Sequence, residues 1–164
     1  MDAQKMKNPI VVGVVPGQPA MVRRRAAELA AALDAELVFA YVDVTTFLIP
    51  EPREGPPPLP LVPGPPLDDA ESVAEQLKAV VAAELDGGGL RWSFQVLEGD
   101  PARALGRLAE TLDAGMIVVG TRERSLAARL EELLIGSVAA HLTHRQDRPV
   151  LVVPVDLRHR DDAL

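Results

Sequence analysis

The sequence contains no cysteine, few basic residues relative to acidic ones, and no apolar run of membrane-spanning length. Without cysteine, a disulfide scaffold and a Cys-ligated zinc site are both excluded. The first apolar run, residues 10–15, is too short for a signal peptide or a bilayer span and follows a polar N-terminus. We therefore predict a cytoplasmic protein with no membrane partner. Seventeen Lys and Arg against 24 Asp and Glu give a net charge of −7, which disfavours a nucleic-acid partner.

The residues that are present are sufficient for one folded domain. The chain has 164 residues, of which 48% are apolar, so that Leu, Val and Ala can build a core. Apolar β-rich runs alternate with segments of helical periodicity, ordered β-α-β-α-β-α-β-α-β. The predicted strands are 10–15, 36–42, 91–97, 116–119 and 150–153. The predicted helices are 20–34, 70–85, one that begins at Asp100-Pro101, and a last helical region over about 126–143 that is interrupted at Gly136-Ser137.

This alternation predicts an α/β fold, a parallel sheet with helices on both faces. Asp68 and Asp69 precede one predicted helix and Asp100 precedes another, and all three are suited to capping a helix start. The strand 91–97 alternates apolar and polar residues, which is typical of a strand less fully covered than its neighbours. In such sheets ligands bind beyond the carboxyl ends of the strands. The segments that follow the strands are therefore the candidate binding loops.

Nine of the fifteen prolines fall between Pro50 and Pro66. Proline lacks the amide donor and fixes φ, so this segment is neither a helix nor a central strand. Four of these prolines recur at every third residue: Pro57, Pro60, Pro63 and Pro66. In a polyproline II helix this spacing aligns them along one edge. That edge is either a docking strip for a protein partner or a stiff spacer.

Two glycine positions follow the fourth strand. Gly120 comes directly after it, and Gly136-Ser137 stands at a helix start. One interpretation is that the glycines admit a ligand to the backbone and that the helix start presents free N–H groups to an anion. The other is that Gly120 merely turns the chain and Gly136 breaks a helix for packing.

Several motifs resemble the universal stress protein family. They are Val-Gly-Thr-Arg at 119–122, Leu-Ile-Gly-Ser-Val-Ala at 134–139, Pro-Val-Leu-Val-Val-Pro at 149–154 and Gly-Asp-Pro-Ala at 99–102. The resemblance covers about 9–155, with a Pro-rich insert at 45–67 and a charged tail at 156–164. It implies a doubly wound five-stranded parallel sheet of order 3-2-1-4-5 in a three-layer α/β/α arrangement. It also implies a homodimer through the last strand, Val150 to Val153, an apolar edge that needs covering.

The resemblance further implies an adenine-nucleotide site with the phosphate pattern Gly-x2-Gly-x9-Gly-[Ser/Thr]. The first glycine corresponds to Gly120 and the closing pair to Gly136-Ser137. The ligand would be ATP or AMP, with Mg²⁺ only if ATP binds. The candidate nucleotide-binding residues are Val15, Val42, Gly120, Arg122, Gly136, Ser137 and Val138.

This sequence departs from the family pattern at three places. Glu123 stands where the second glycine is expected, and the spacing from Gly120 to Gly136 is three residues longer. Val15 stands where nucleotide-binding members carry Asp, and a valine accepts no hydrogen bond from ribose or adenine. We therefore predict a dimeric regulatory interaction protein with a degenerate nucleotide site. The alternative is an ATP- or AMP-binding stress protein with slow ATP hydrolysis.

Other polar residues offer no catalytic site. His141 and His144 share a helical spacing but have no accompanying triad, and no metal-ligand spacing occurs. No catalytic residue and no metal site are therefore predicted. The run Arg23-Arg24-Arg25 is interpreted as a solvated helix face.

Overall fold

The structure is a computed structural model that describes residues 8–44, 69–121 and 138–155. Within these ranges five strands alternate with four helices. The strands are β1 (Ile10–Val14), β2 (Leu37–Asp43), β3 (Trp92–Glu98), β4 (Met116–Gly120) and β5 (Val150–Val153); the helices are α1 (Ala20–Leu33), α2 (Ala70–Leu85), α3 (Pro101–Thr111) and α4 (Val138–Arg145). The predicted insert at 45–67 and the tail at 156–164 lie outside the described residues.

The five strands form one parallel sheet in the order β3-β2-β1-β4-β5. Ile10 of β1 pairs with Leu37 of β2 on one side and with Met116 of β4 on the other. The strand order therefore reverses on either side of β1, as in doubly wound sheets. The predicted fold class and strand order are confirmed.

The hydrophobic core lies on both faces of this sheet. Successive residues of β1 point to opposite faces, and Ile10 and Val11 are both fully buried. Ile10 belongs to the cluster that packs under α1 and α2, and Val11 to the cluster under α3 and α4. The continuous apolar run in β1 therefore reflects a strand covered on both sides, which gives three layers.

Local sequence signals set the starts of two helices. The side chain of Asp69 accepts a hydrogen bond from the Ser72 N–H at 2.7 Å, and that of Asp100 accepts one from the Arg103 N–H at 2.8 Å. Pro101 occupies the first helical position of α3, where its missing donor leaves nothing unsatisfied. The predicted helix 70–85 is confirmed residue for residue.

Several strand bounds differ from the predicted ones by one residue: β2 and β3 each lie one residue later, and β4 includes Gly120. β1 ends at Val14 rather than at Val15, because Pro16 starts a turn. β3 pairs with β2 alone among the described strands, and it has no fully buried residue, so the prediction of a less covered strand is confirmed. The described part of the helix predicted over 126–143 is α4, which runs on to Arg145. In the described ranges, no helix combines the length and apolar character needed to cross a membrane.

Candidate functional site

A cleft of about 350 Å³ opens at the carboxyl ends of β1, β2 and β4. Four of the predicted site residues line it: Val15, Val42, Gly120 and Val138. The other three, Arg122, Gly136 and Ser137, lie outside the described residues, as does Glu123. The topology therefore brings together residues from four separate segments at the edge where doubly wound sheets bind ligands.

The loop after β1 forms one wall of the cleft and holds Val15 at its mouth. Gln18 N–H donates to the Val15 carbonyl at 3.2 Å across Pro16 and Gly17, and Gly17 has a φ of +73°. Proline followed by a glycine of positive φ is the pattern of a type II turn. The turn leaves Val15 39% exposed. The position where an Asp is expected thus presents an apolar side chain to the cleft.

Gln18 is a cleft residue that the sequence did not single out. Its Nε2 donates to the Gly13 carbonyl at 3.3 Å, which fixes the orientation of the amide. Its Oε1 is then the one buried side-chain polar atom among the described residues that has no hydrogen-bond partner. The Pro-Gly turn just before it was the available signal, since Pro-Gly predicts that the chain turns directly after the first strand.

Gly120 is required by packing. A Cβ added to it would lie 2.9 Å from Cγ2 of Val22, a fully buried residue of α1, and 3.4 Å from Nε2 of Gln18. Any larger residue would push α1 away from the end of β4. The structure thus gives this glycine a packing role, the close approach of α1, which neither interpretation contained, and its contact with a ligand stays a prediction.

The opposite wall of the cleft is apolar and belongs to α3. A Cβ added to Gly13 would lie 3.2 Å from Cδ1 of Leu105, so this glycine lets α3 approach β1 closely. Pro101 and Leu105 both line the cleft. The side-chain hydrogen-bonding groups along the described lining are those of Gln18, Tyr41 and Thr121. Such a surface suits a flat, largely apolar group better than a highly charged one.

Arg23 of α1 contacts both α2 and the loop that follows β1. It is 6% exposed and forms a bidentate ion pair with Glu84 of α2, with Nε and Nη2 at 2.7 and 2.8 Å from the carboxylate oxygens. Its Nη1 also donates to the Gln18 carbonyl at 3.2 Å. The interpretation of the arginine run as a solvated face is therefore wrong for Arg23, while Arg24 and Arg25 are exposed.

Tyr41 lines the cleft, and the pKa of its phenol is raised. Burial, and secondly the carboxylate of Asp43, raise the pKa of Tyr41 above the ordinary value of 10.0. The folded state thus holds the phenolic proton more tightly than the unfolded chain does. This contribution to stability is present below about pH 10 and is lost as the pH rises through the raised pKa.

We expect an alkaline titration followed by tyrosinate absorbance to show this shift directly, because Tyr41 is the one tyrosine of the chain. Asp43→Asn should lower the pKa of Tyr41 only part of the way, since burial is the larger cause. The reference measurement is the same titration in concentrated urea, which gives the pKa of Tyr41 in the unfolded chain. Coincident folded and unfolded curves would contradict the expected burial of the ring.

In ranges 8–44, 69–121 and 138–155, no three His, Asp or Glu side chains are arranged to hold a metal ion. His141 and His144 are exposed on α4.

Comparison with known sequences gives two matches. A sequence model described as the Universal stress protein family matches residues 6–154. The stress response protein NhaX of Bacillus subtilis (strain 168) is 36% identical over 83 residues, which are 51% of this chain and 45% of that protein. The chain therefore matches a little under half of the length of NhaX.

Solved structures with the same fold include two nucleotide complexes. A universal stress protein in complex with cAMP has a TM-score of 0.58 at 24% identity, covering 92% of this chain and 98% of that one. The universal stress protein from Archaeoglobus fulgidus in complex with dAMP has a TM-score of 0.59 at 20% identity, covering 89% and 97%. At these identities the likeness establishes the fold.

Proposed function

This chain belongs to the universal stress protein family, and from that premise we propose that it is a stress-response regulatory module acting through protein contacts. In this proposal its nucleotide cleft is degenerate. The observation that carries the proposal is Val15, an apolar side chain at the mouth of the cleft in place of a carboxylate. Each hydrogen bond lost there removes about 1 kcal/mol or more of binding free energy.

The sequence of the phosphate loop supports the same conclusion. Glu123 replaces a glycine of the family pattern, and a carboxylate repels a triphosphate. The longer spacing to Gly136 also alters the loop that would surround the phosphates. Both changes weaken the binding of ATP more than that of a nucleoside with fewer phosphates.

The second candidate function is binding of AMP or ATP, with Mg²⁺ in the second case. Two observations favour it: relatives of this fold bind cAMP and dAMP, and the chain retains a cleft of about 350 Å³. That volume is within the range of small-molecule sites, about 300–1,000 Å³. Under this alternative, Arg122 and Ser137 would face the phosphates, and slow ATP hydrolysis would be the activity.

Titration calorimetry with ATP, ADP and AMP separates the two candidates. We expect binding no tighter than millimolar for the wild-type protein. Val15→Asp should strengthen AMP binding by about tenfold, because a charged acceptor gains a hydrogen bond with a donor of the nucleoside. The matched control is Val80→Asp, which adds the same charge at an exposed position of α2.

Two results would count against the degenerate site. Micromolar binding by the wild-type protein would favour the second candidate function. An equal response to Val15→Asp and Val80→Asp would mean that Val15 is not the missing anchor.

We further propose that two copies of the chain form a homodimer through β5. It pairs with β4 on one side, its other edge has no partner strand among the described residues, and Val152 is 37% exposed. An apolar edge strand of this kind is a template for pairing with a second copy. The proline series from Pro57 to Pro66 is proposed as a contact for a further protein partner.

A further inference from the structure

A second cavity, of about 420 Å³, lies between α3 and α4 and shares no lining residue with the cleft. We call it the α3–α4 groove. Three arginines and a histidine dominate its lining, although the chain as a whole carries a charge of −7. They are Arg103, Arg107, His141 and Arg145.

Helix geometry places these side chains in two facing pairs. Arg103 and Arg107 are four residues apart on α3, and His141 and Arg145 are four apart on α4. Residues at this spacing lie one above the other on a helix surface. A ligand in the groove therefore meets basic groups from both sides.

Small residues make the groove concave. Ala104 and Gly99 both line it and place little or no side chain there. The two helices also approach each other nearby, since a Cβ added to Gly106 would lie 3.9 Å from Cδ2 of Leu142. The two helices are thus closely packed beside the groove.

The guanidinium groups in the groove form no ion pair within the described residues. Arg23, Arg25 and Arg148 each form an ion pair within the described residues, whereas Arg103, Arg107 and Arg145 form none. Two carboxylates, Glu98 and Asp100, line the same groove. Asp100 is already engaged, because its carboxylate accepts the Arg103 backbone N–H. The three arginines therefore outnumber the two carboxylates along the groove, and none of the three is in an ion pair among the described residues.

We propose that the α3–α4 groove binds a small phosphorylated molecule that carries at least two phosphate groups. The planar guanidinium group donates two parallel hydrogen bonds to a phosphate. Arginines on opposite walls suit two phosphates joined in a chain, and His141 adds a further donor. Bound phosphates would pair with the three arginines, whereas the carboxylates of Glu98 and Asp100 oppose binding, so the ligand needs contacts with arginines on both helices. The proposal is independent of any nucleotide in the cleft.

The test is calorimetric titration with inorganic tripolyphosphate at low and at physiological ionic strength. Arg107→Gln combined with Arg145→Gln should weaken binding by about tenfold or more, because one guanidinium is lost from each wall. The matched control is Arg24→Gln combined with Arg91→Gln, which removes the same charge at exposed positions elsewhere. All four positions are exposed, and thermal unfolding verifies that both double variants are folded.

Three outcomes would overturn the proposal. They are no binding of tripolyphosphate by the wild-type protein, an equal loss of affinity in both double variants, and equally tight binding of citrate, which carries carboxylates instead of phosphates. Supporting outcomes are selective loss in the groove variant and a shift of the His141 imidazole resonance on titration. That resonance is assignable because the chain has three histidines. Failure of AMP to bind the cleft leaves every one of these results unaffected.

Discussion

Glu84→Ala is expected to lower the free energy of unfolding by about 3 kcal/mol, because it leaves the guanidinium of Arg23 buried without a counter-charge. Arg23 is 6% exposed, and the bidentate pair with Glu84 satisfies two of its nitrogen atoms. The Glu84 side chain is 31% exposed, which places the effect at the lower end of the range for buried pairs. Urea denaturation measures the change.

The chain supplies a matched control on α1, the helix that carries Arg23. Arg25 and Glu28 also pair at 2.8 Å, but their side chains are 59% and 62% exposed. Glu28→Ala should therefore change the free energy of unfolding by about 0.5 kcal/mol or less. The double variant Arg23→Met/Glu84→Leu should recover most of the loss, since two apolar side chains need no counter-charge. Similar losses in Glu84→Ala and Glu28→Ala would refute the distinction between buried and exposed pairs.

Val152→Arg is expected to turn a dimer into a monomer at micromolar concentration, as measured by light scattering. In a two-fold symmetric interface each substitution occurs twice, so two arginines would face the apolar edge of the partner. Desolvating them and bringing like charges together costs several kcal/mol. We expect the dissociation constant to rise at least about a hundredfold, or about 2.7 kcal/mol.

Val80→Arg is the control for this change, because Val80 is similarly exposed but lies on α2. It should leave the dimer intact. Two results would rule out the β5 interface: a wild-type protein that is already monomeric, or a Val152→Arg variant that remains dimeric while folded.

Much of the fold was predictable because its signals are short in range. The run at Ile10–Val14 indicated a strand covered on both faces, and Asp100-Pro101 indicated the start of α3, since caps join residues only a few positions apart. The bounds of α2 followed from Asp69 and from the apolar stripe between it and the glycines after Leu85. The strand order came from the family resemblance, since alternation of strands and helices leaves it open.

The cleft was predictable in part. Val15, Val42, Gly120 and Val138 meet there because the carboxyl ends of parallel strands share one edge of the sheet. The role of Gly120 was not predictable, because the atom that excludes a side chain belongs to Val22, nearly a hundred residues earlier in the chain. The lack of a hydrogen-bond partner for Oε1 of Gln18 was equally unpredictable, because it depends on every atom that lies near this oxygen in the folded chain.

The residue pattern alone specified the order of the strands and helices, their caps and the apolar character of Val15. Which charged side chains are buried, paired or brought together followed from the packing of the folded chain. Among three consecutive arginines it buries Arg23 against Glu84, 61 residues away, and leaves Arg24 in solvent. It also gathers Arg103, Arg107 and Arg145 around one groove from two helices that are separate in the chain. The physical reason is that periodicity and capping act over one or two turns, whereas the burial and pairing of a charge depend on which surfaces the folded sheet brings together.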